Sequence, residues 1–337
     1  MALLGFGLLV VMHELGHMIA AKRSGIRVRE FWVGMGPKLL SHRWGETEYC
    51  LCLLPIGGAC VLEGENGEEN PQPGSFVLAS RPRRFLVLVA GVAMNLLVGF
   101  AILFALTLGQ EQWIAPRIAS FYDGFTHEGE NGLMIGDRIL SIDGYTVLLS
   151  SDVSRGLARG ADDGTFDITV RRNGETVTIK DLEMRADVNL GDGRMGYGLS
   201  LSVEPLDLPT RLYFAGATAV SDVRMVWNSL VDLVTGQIGV DMLSGPVGVT
   251  SVLADTAASS MPAFWELVAF ISINLAVMNL LPIPGLDGGR ILLLLVEAVR
   301  RKPLDPKFEN YINALGLCAL FALMIYITGN DFFRMLQ

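Results

Sequence analysis

Long apolar stretches divide the chain and predict where it crosses a membrane. Four of them are about as long as a transmembrane helix, over residues 2–21, 85–108, 263–286 and 311–328. A helix of about 20 residues spans the roughly 30 Å hydrocarbon core of a bilayer. A secretory signal fits the first stretch poorly, because it has no positive n-region and contains charged groups. We therefore predict a multi-pass α-helical membrane protein with four transmembrane helices.

Basic residues beside these stretches predict the orientation of the chain. They cluster after the first stretch, before the second and after the third, at Lys22, Arg23, Arg27, Arg29, Arg81, Arg83, Arg84, Arg290, Arg300, Arg301 and Lys302. All clusters fall on one side if the helices alternate. We expect a protein of the cell (inner) membrane, with residues 22–84 and 287–310 in the cytoplasm. Residues 109–262 and both termini are then expected outside.

The segments between the helices have patterns typical of β-structure. Residues 114–202 contain short strand-like runs with Asp-Gly and Asn-Gly turn signals and one helical run, SSDVSRGLARG. They predict an inserted β-rich α+β domain. Residues 31–64 have strand-like runs punctuated by glycines and predict a β-hairpin region close to the membrane. Residues 212–234 are apolar with charges at intervals, which predicts an amphipathic helix at the membrane surface.

These patterns divide the chain into eight predicted segments. They are transmembrane helix 1 (1–22), a cytoplasmic, membrane-associated β region (23–84), transmembrane helix 2 (85–109), an extracytoplasmic domain (110–205), an amphipathic helix with a linker (206–262), transmembrane helix 3 (263–288), a cytoplasmic loop (289–310) and transmembrane helix 4 (311–328).

The composition narrows the class of protein. Of the 337 residues, 51% are hydrophobic and 18% are charged, and the charged share is low for a soluble protein. The net charge of −9 gives no reason to expect a nucleic-acid partner. The four cysteines form no paired framework, so we expect free thiols.

The first apolar stretch contains a pattern that binds metals in other proteins. His13 and His17 are four residues apart, so both imidazoles lie on one face of a helix and can bind one zinc ion. Glu14 lies beside them, where it can act as the general base for an attacking water. Ionisable groups in a membrane helix are costly and usually functional. A structural ion pair of Glu14 with an arginine, or a non-catalytic metal site, is the alternative.

A catalytic zinc usually has a third protein ligand, and Asp287 is the best candidate. It is predicted at the same, cytoplasmic end of its helix as His17, within NLLPIPGLDGGR. The prolines and glycines of that stretch favour unwound backbone, which membrane proteins tolerate only when it is buried or lines a cavity. A helix-end carboxylate in water is the alternative. Asn274 and Asn279 could bind a substrate backbone, or instead bond neighbouring helices.

Together these motifs resemble the site-2 protease family of intramembrane zinc metalloproteases. The resemblance covers essentially the whole chain and rests on HELGH, LPIGG and NLLPIPGLDGGR; FWVGMGP and AGVAMN are similar to the bacterial RseP-type branch. In that family the outer insert is a PDZ domain. NGLMIGDRILSIDGYTV resembles its signature, through Leu133, Gly136, Asp137, Ile139, Ile142 and Gly144. The insert has room for a single PDZ domain.

The resemblance implies an activity and a set of site residues. It implies one Zn²⁺ per chain on His13, His17 and Asp287, with Glu14 as base. It implies substrate contacts for Asn274, Asn279, Pro282, Ile56, Gly57 and Gly58.

It also implies substrates and partners. The substrates would be single-span proteins of the lipid bilayer, such as anti-sigma factors or signal-peptide remnants, which an upstream site-1 protease usually shortens first. AGVAMN departs from the family, which often has proline after that glycine. We expect this departure to affect packing near Asn95 and not the zinc site.

Two other classes of function compete with a protease. A membrane metal transporter also places ionisable groups between broken helices, but it needs them at several depths, and here they cluster near one face. A catalytically inactive PDZ scaffold would not need His13, Glu14, His17 and Asp287 together. The sequence therefore favours an intramembrane zinc metalloendopeptidase.

Overall fold

The computed structural model describes residues 2–65, 72–160, 164–190, 195–239, 245–302 and 304–335, in two compact units. One unit comprises residues 1–103 and 222–337, and the other residues 104–221. The helices are α1 (Ala2–Arg23), α2 (Arg81–Thr107), α3 (Ser150–Arg159), α4 (Leu208–Val234), α5 (Pro246–Ser259), α6 (Met261–Leu280), α7 (Asp287–Arg300) and α8 (Pro306–Met335). The strands are β1 (Val28–Trp44), β2 (Thr47–Leu62), β3 (Gln112–Phe121), β4 (Arg138–Ile142), β5 (Tyr145–Thr146), β6 (Thr165–Arg172), β7 (Glu175–Glu183), β8 (Val188–Asn189), β9 (Met195–Gly196) and β10 (Leu199–Pro205).

Three helices in the described part of the chain are long and apolar enough to cross a membrane. They are Arg81–Thr107, Met261–Leu280 and Lys307–Asp331. Helix α1 has 22 residues but is not one of the three, and its apolar run is interrupted by the HELGH motif. The chain is therefore a membrane protein with a β region, and the fourth span stays a prediction.

Helix α6 covers the predicted third span, 263–288, as far as Leu280, and the residues after it unwind, as the prolines and glycines of that stretch predict. Helix α6 ends at Leu280, and α7 begins only at Asp287. Pro282 and Pro284 have no N–H to donate to a helix, and Gly285 has a φ of 92°. Residues 281–286 therefore form a non-helical connection, and Asp287 lies in the first turn of a new helix.

The segment 289–310, predicted as a loop, is largely helical, and its cytoplasmic location stays a prediction. Its first part belongs to α7, and its last part to α8, which begins at Pro306 and not at residue 311. Glu297 of α7 is buried, pairs with Arg84 of α2 and accepts a hydrogen bond from the Leu304 N–H. The Glu297 carboxylate is thus satisfied by a partner distant in sequence.

Strands β1 and β2 form an antiparallel hairpin that folds back on itself. Residues 28–33 pair with 58–62 on one side and with 48–51 on the other. Among the described residues, 58–62 is therefore an edge of this small sheet. Strand β2 lies against α1: a Cβ atom on Gly7 would overlap the Pro55 carbonyl, and one on Gly58 would contact Val11 and approach Glu14. The close approach fixes the hairpin beside the HELGH helix.

The unit of residues 104–221 has a sheet in the order β10-β3-β4-β6-β7, with β5 beside β4 and all pairs antiparallel. Helix α3 forms where a helix was expected, and its Val153 and Leu157 enter the core with Phe166 and Ile168 of the sheet. The Asn-Gly turn between β6 and β7 has both residues at positive φ, as a type I′ hairpin requires.

Helix α5 lies in a stretch that sequence analysis assigned to a linker. Its N-terminal N–H groups are satisfied by Asp331 of α8, which accepts hydrogen bonds from Gly248 at 2.9 Å and Gly245 at 3.2 Å. Asp331 is buried. The side chain that caps this helix, Asp331, lies more than 80 residues away, so local sequence patterns did not predict the cap.

A buried ion pair lies within the β-rich unit of residues 104–221. Asp137 is 1% exposed and accepts two hydrogen bonds from the Arg172 guanidinium, at 2.7 and 2.9 Å. These bonds raise the pKa of Arg172 above its ordinary value. Asp137 also accepts the Met134 N–H at 2.9 Å. The carboxylate thus joins the loop before β4 to strand β6.

Replacing Asp137 with Ala should destabilise this unit by about 3 kcal/mol, because Arg172 would be left as an unpaired, partly buried charge. Amide hydrogen exchange of β6 in the full-length protein, in detergent, measures the loss. Arg171→Ala, at the exposed neighbouring position, should change exchange little. Equal exchange in both variants would contradict the role of the pair.

Candidate metal centre

Helices α1 and α7 bring three metal-binding side chains together. His13 Nε2 lies 3.1 Å and His17 Nε2 lies 3.2 Å from Asp287 Oδ2. The two Nε2 atoms are themselves 3.1 Å apart. Both histidines are buried, and Asp287 is largely buried. The three residues that the HELGH and LDG motifs predicted as ligands therefore converge on one point.

The chemistry of this donor set fits a tetrahedral zinc ion. Zinc ligand atoms about 2.0–2.2 Å from the metal lie roughly 3.3 Å from each other, close to the spacings found here. Asp287 Oδ2 is buried without a hydrogen-bond donor among the described residues, although two imidazole nitrogens face it. A shared cation would satisfy all three atoms. Three protein ligands also leave a fourth position open, as in catalytic zinc sites.

The second nitrogen of His17 has a partner that fixes the tautomer. His17 Nδ1 donates to the Val87 carbonyl of α2 at 2.8 Å, which leaves Nε2 free to bind metal. Gly91 is one turn after Val87 on the same helix face. Because Gly91 has no side chain, the imidazole can reach that carbonyl. A Cβ atom at Gly91 would lie 2.7 Å from Cε1 of His13 and would also overlap His17.

The second nitrogen of His13 faces Asn95, which is fully buried. The Asn95 amide nitrogen lies 3.4 Å from His13 Nδ1, and its oxygen has no partner among the described residues. Rotating the amide by half a turn would place Oδ1 at this position, where it can accept the His13 Nδ1–H. Ser272 donates to the Asn95 backbone carbonyl at 2.8 Å and links this position to α6.

Sequence analysis expected the departure in AGVAMN to affect packing near Asn95 and not the zinc site, but it did not foresee that Asn95 itself lies beside the site. Gly91 and Asn95 lie four residues apart on α2, on one face, and that face contacts both histidines. The signal that could have revealed this is the polar Asn95 within an otherwise apolar helix. Such a residue faces a partner in nearly every membrane protein.

Glu14 lies beside the three donors on a cavity of about 420 Å³. Its Oε2 accepts the Cys60 N–H at 2.9 Å, so the outer edge of the hairpin sheet orients the carboxylate. Burial raises the pKa of the Cys60 thiol, which therefore stays protonated and is a poor competitor for a cation. Polar lining residues of the cavity are His13, Glu14, His17, Glu65, Asn95, Asn279, Asp287 and Arg290.

The residues expected to contact substrate are only partly at this cavity. Gly58 and Asn279 line it. Ile56, Gly57, Asn274 and Pro282 are not among its lining residues in the described part of the chain; Ile56 and Pro282 are exposed, and Asn274 is half-buried. Their proposed contacts require a substrate that extends beyond the cavity.

Comparisons with known proteins agree with this geometry. A family model described as peptidase family M50 matches residues 1–323. Regulator of sigma-W protease RasP of Bacillus subtilis is 29% identical over 415 residues, covering 98% of this chain and 97% of that protein. Zinc metalloprotease RasP of Bacillus licheniformis is 30% identical over 414 residues with the same coverage. A protein of Clostridium acetobutylicum is 33% identical over 333 residues, covering 98% and 96%.

A chain with membrane-length helices and a His-His-Asp cluster that could hold a metal ion is consistent with a membrane metalloprotease. The chain belongs to peptidase family M50, the site-2 proteases, and is a zinc metalloprotease. The expected family, enzyme class and zinc cofactor are confirmed. This result disfavours the metal transporter.

Replacing Asn95 with Leu should lower zinc affinity about 10- to 100-fold, because His13 would lose the partner that orients its ring. Competition with a chromophoric zinc chelator on detergent-purified protein measures the change. Asn95→Asp should retain zinc, since a carboxylate can accept the same hydrogen bond. Wild-type affinity in Asn95→Leu would exclude the positioning role.

Proposed function

We propose that this protein cuts the transmembrane segments of single-span membrane proteins, with zinc held by His13, His17 and Asp287 and with Glu14 as general base. The observation that carries the proposal is the convergence of the three donor atoms within 3.2 Å of one another, beside Glu14. A peptidase with its ligands on an apolar helix must meet its substrate at membrane depth.

The chain's own residues divide the chemistry between them. Zinc in this site would supply a Lewis acid that polarises the scissile carbonyl and lowers the pKa of a water. Glu14 takes the proton of the attacking water and delivers it to the leaving amide nitrogen. The Cys60 N–H holds one carboxylate oxygen of Glu14, which leaves the other available for proton transfer. The His17–Val87 hydrogen bond and Asn95 keep the ligand nitrogens aimed at the metal.

Substrate has to be held as an extended strand, because a helix hides its own peptide groups. Residues 58–62 provide a sheet edge beside Glu14. Its Cys60 and Leu62 N–H groups bond Glu14 and Glu65, so a substrate strand would add through the other backbone groups of this edge. The non-helical residues 281–286 form a second wall, through Gly285 and Leu286. Asn279 lines the cavity between them. In this arrangement Ile56, Gly57, Asn274 and Pro282 contact substrate flanking the cut.

The outer unit and the topology complete the proposal. Residues 110–205 act as a single PDZ domain that limits which substrates enter. Four spans in the inner membrane, α1 included, place this domain outside and the zinc site near the cytoplasmic side. The substrates are anti-sigma factors or signal-peptide remnants, trimmed first by a site-1 protease. The printed name of the Bacillus subtilis relative, regulator of sigma-W protease, supports the first of these classes.

Replacing Glu14 with Gln should keep zinc and lower cleavage of a single-span reporter by roughly 100- to 10,000-fold, the usual contribution of general acid–base catalysis. The assay uses detergent-purified protein, with zinc content measured on the same samples. Glu266→Gln is the matched control, since it makes the same chemical change at an exposed position of α6.

The outcomes separate the parts of the proposal. Cleavage at wild-type rate in Glu14→Gln would remove Glu14 from the base role. Zinc in the wild type without any cleavage would instead count against the substrate class, or support an inactive scaffold. Treatment with a chelator should abolish cleavage in the wild type and Glu266→Gln alike.

A further inference from the structure

An ion pair at the rim of the zinc cavity joins the two structural elements that carry opposite sides of the site. Arg290 lies three residues after Asp287, one turn further along α7. Its Nη1 forms an ion pair with Oε1 of Glu65, just beyond the end of β2. The side chains are 30% and 16% exposed, so water screens the pair only partly. Both residues line the cavity that contains His13, Glu14 and His17.

Glu65 is also attached to strand β2 itself. Its second carboxylate oxygen accepts the Leu62 N–H at 3.2 Å. Two residues earlier on the same strand, the Cys60 N–H donates to Glu14. Residues two apart on a strand point their backbone groups the same way, so Cys60 and Leu62 present their N–H groups along one edge. A continuous series of contacts therefore runs from Glu14 through β2 and Glu65 to Arg290.

The series has a geometric consequence for the metal centre. Helix α1 carries two ligands and the base, whereas Asp287 comes from α7, which follows a non-helical connection of six residues. Glu14–Cys60 holds α1 to β2, and Glu65–Arg290 holds α7 to the same strand. The strand thus acts as a common support for both helices.

We propose that Glu65 and Arg290 are a positioning pair that sets where Asp287 lies relative to His13, His17 and Glu14. The inference rests on the proposed roles of those four residues. The Arg290–Glu65 ion pair lies one turn from Asp287 and is only partly screened by water, so it limits how far the start of α7 can shift. Neither residue is assigned to the reacting atoms, so both act through Asp287.

The test is a double-mutant cycle on the full-length, detergent-purified protein. Glu65→Gln and Arg290→Gln should each lower zinc affinity about 10-fold or more, as loss of supporting residues does at other zinc sites. The zinc affinity of the double variant should be no lower than that of the single variant with the lower affinity. Removing both charges leaves neither of them unpaired. Arg290→Lys keeps the charge and should lie between the wild type and Arg290→Gln. Arg300→Gln, at the exposed end of α7, should match the wild type.

Zinc affinity by chelator competition, kcat and KM for the reporter, and thermal unfolding are measured on every variant. A positioning role predicts lower zinc affinity and kcat, with KM within about twofold of the wild type. Single variants within twofold of the wild type in zinc affinity would overturn the inference. So would losses in the double variant that equal the product of the single losses, because the residues would then act independently.

Failure of this inference and failure of the proposed function give different results. Zinc affinities that change as expected in the double-mutant cycle, without cleavage of any reporter, would contradict the proposed substrate class and still support the positioning role of Glu65 and Arg290. Cleavage that depends on Glu14 but not on Glu65 or Arg290 would support the proposed function and contradict the positioning role of the pair. If a single variant does not accumulate as folded protein, the charge-balanced double variant and Arg290→Lys supply the comparison.

Discussion

The constraint on which the rest depends is that a helix in apolar surroundings must satisfy every polar atom it carries. An imidazole that binds zinc through Nε2 still has an Nδ1–H, and without a partner that group would cost several kcal/mol in hydrocarbon. For His17 the partner is a main-chain carbonyl of α2; for His13 it is a buried asparagine. The HELGH helix can therefore exist only where a second helix offers matching groups at the same height.

Close packing of helices makes those partners available. A Cβ atom on Gly16 would overlap the Ala90 carbonyl, and one on Gly91 would overlap both imidazoles. Small residues at helix contacts allow backbones to approach in membrane proteins, where lipid supplies no hydrophobic drive for association. Here the approach serves the chemistry directly, because it exposes the Val87 carbonyl to His17.

The opposite wall of the site comes from irregular backbone. The hairpin edge holds Glu14 through the Cys60 N–H, and the proline-containing connection before Asp287 starts a new helix at the ligand. Such backbone is stable within a membrane protein only when it is buried or lines a cavity. In this protein Glu14, Glu65 and Asn313 supply partners for N–H groups of this irregular backbone.

Local patterns predicted much of this from the sequence. Spacing of four between His13 and His17, prolines before Asp287, and turn signals in residues 114–202 each act over a few residues, so they are readable directly. Elements capped or paired at a distance were missed. Helix α5 depends on Asp331, and the buried charges of α7 depend on Arg84 and Glu65, which no local pattern reveals.

The sequence by itself determined the family, the zinc-binding residue types and the apolar helices, because these follow from residue chemistry and short-range spacing. Only the tertiary structure decided that Asn95 and Gly91 belong to the metal centre, that Cys60 orients Glu14, and that Glu65 pairs with Arg290. Each of these contacts joins residues from 46 to more than 200 positions apart through helix and strand packing. Hydrogen bonds and ion pairs act over about 3 Å, and packing alone brings such groups that close.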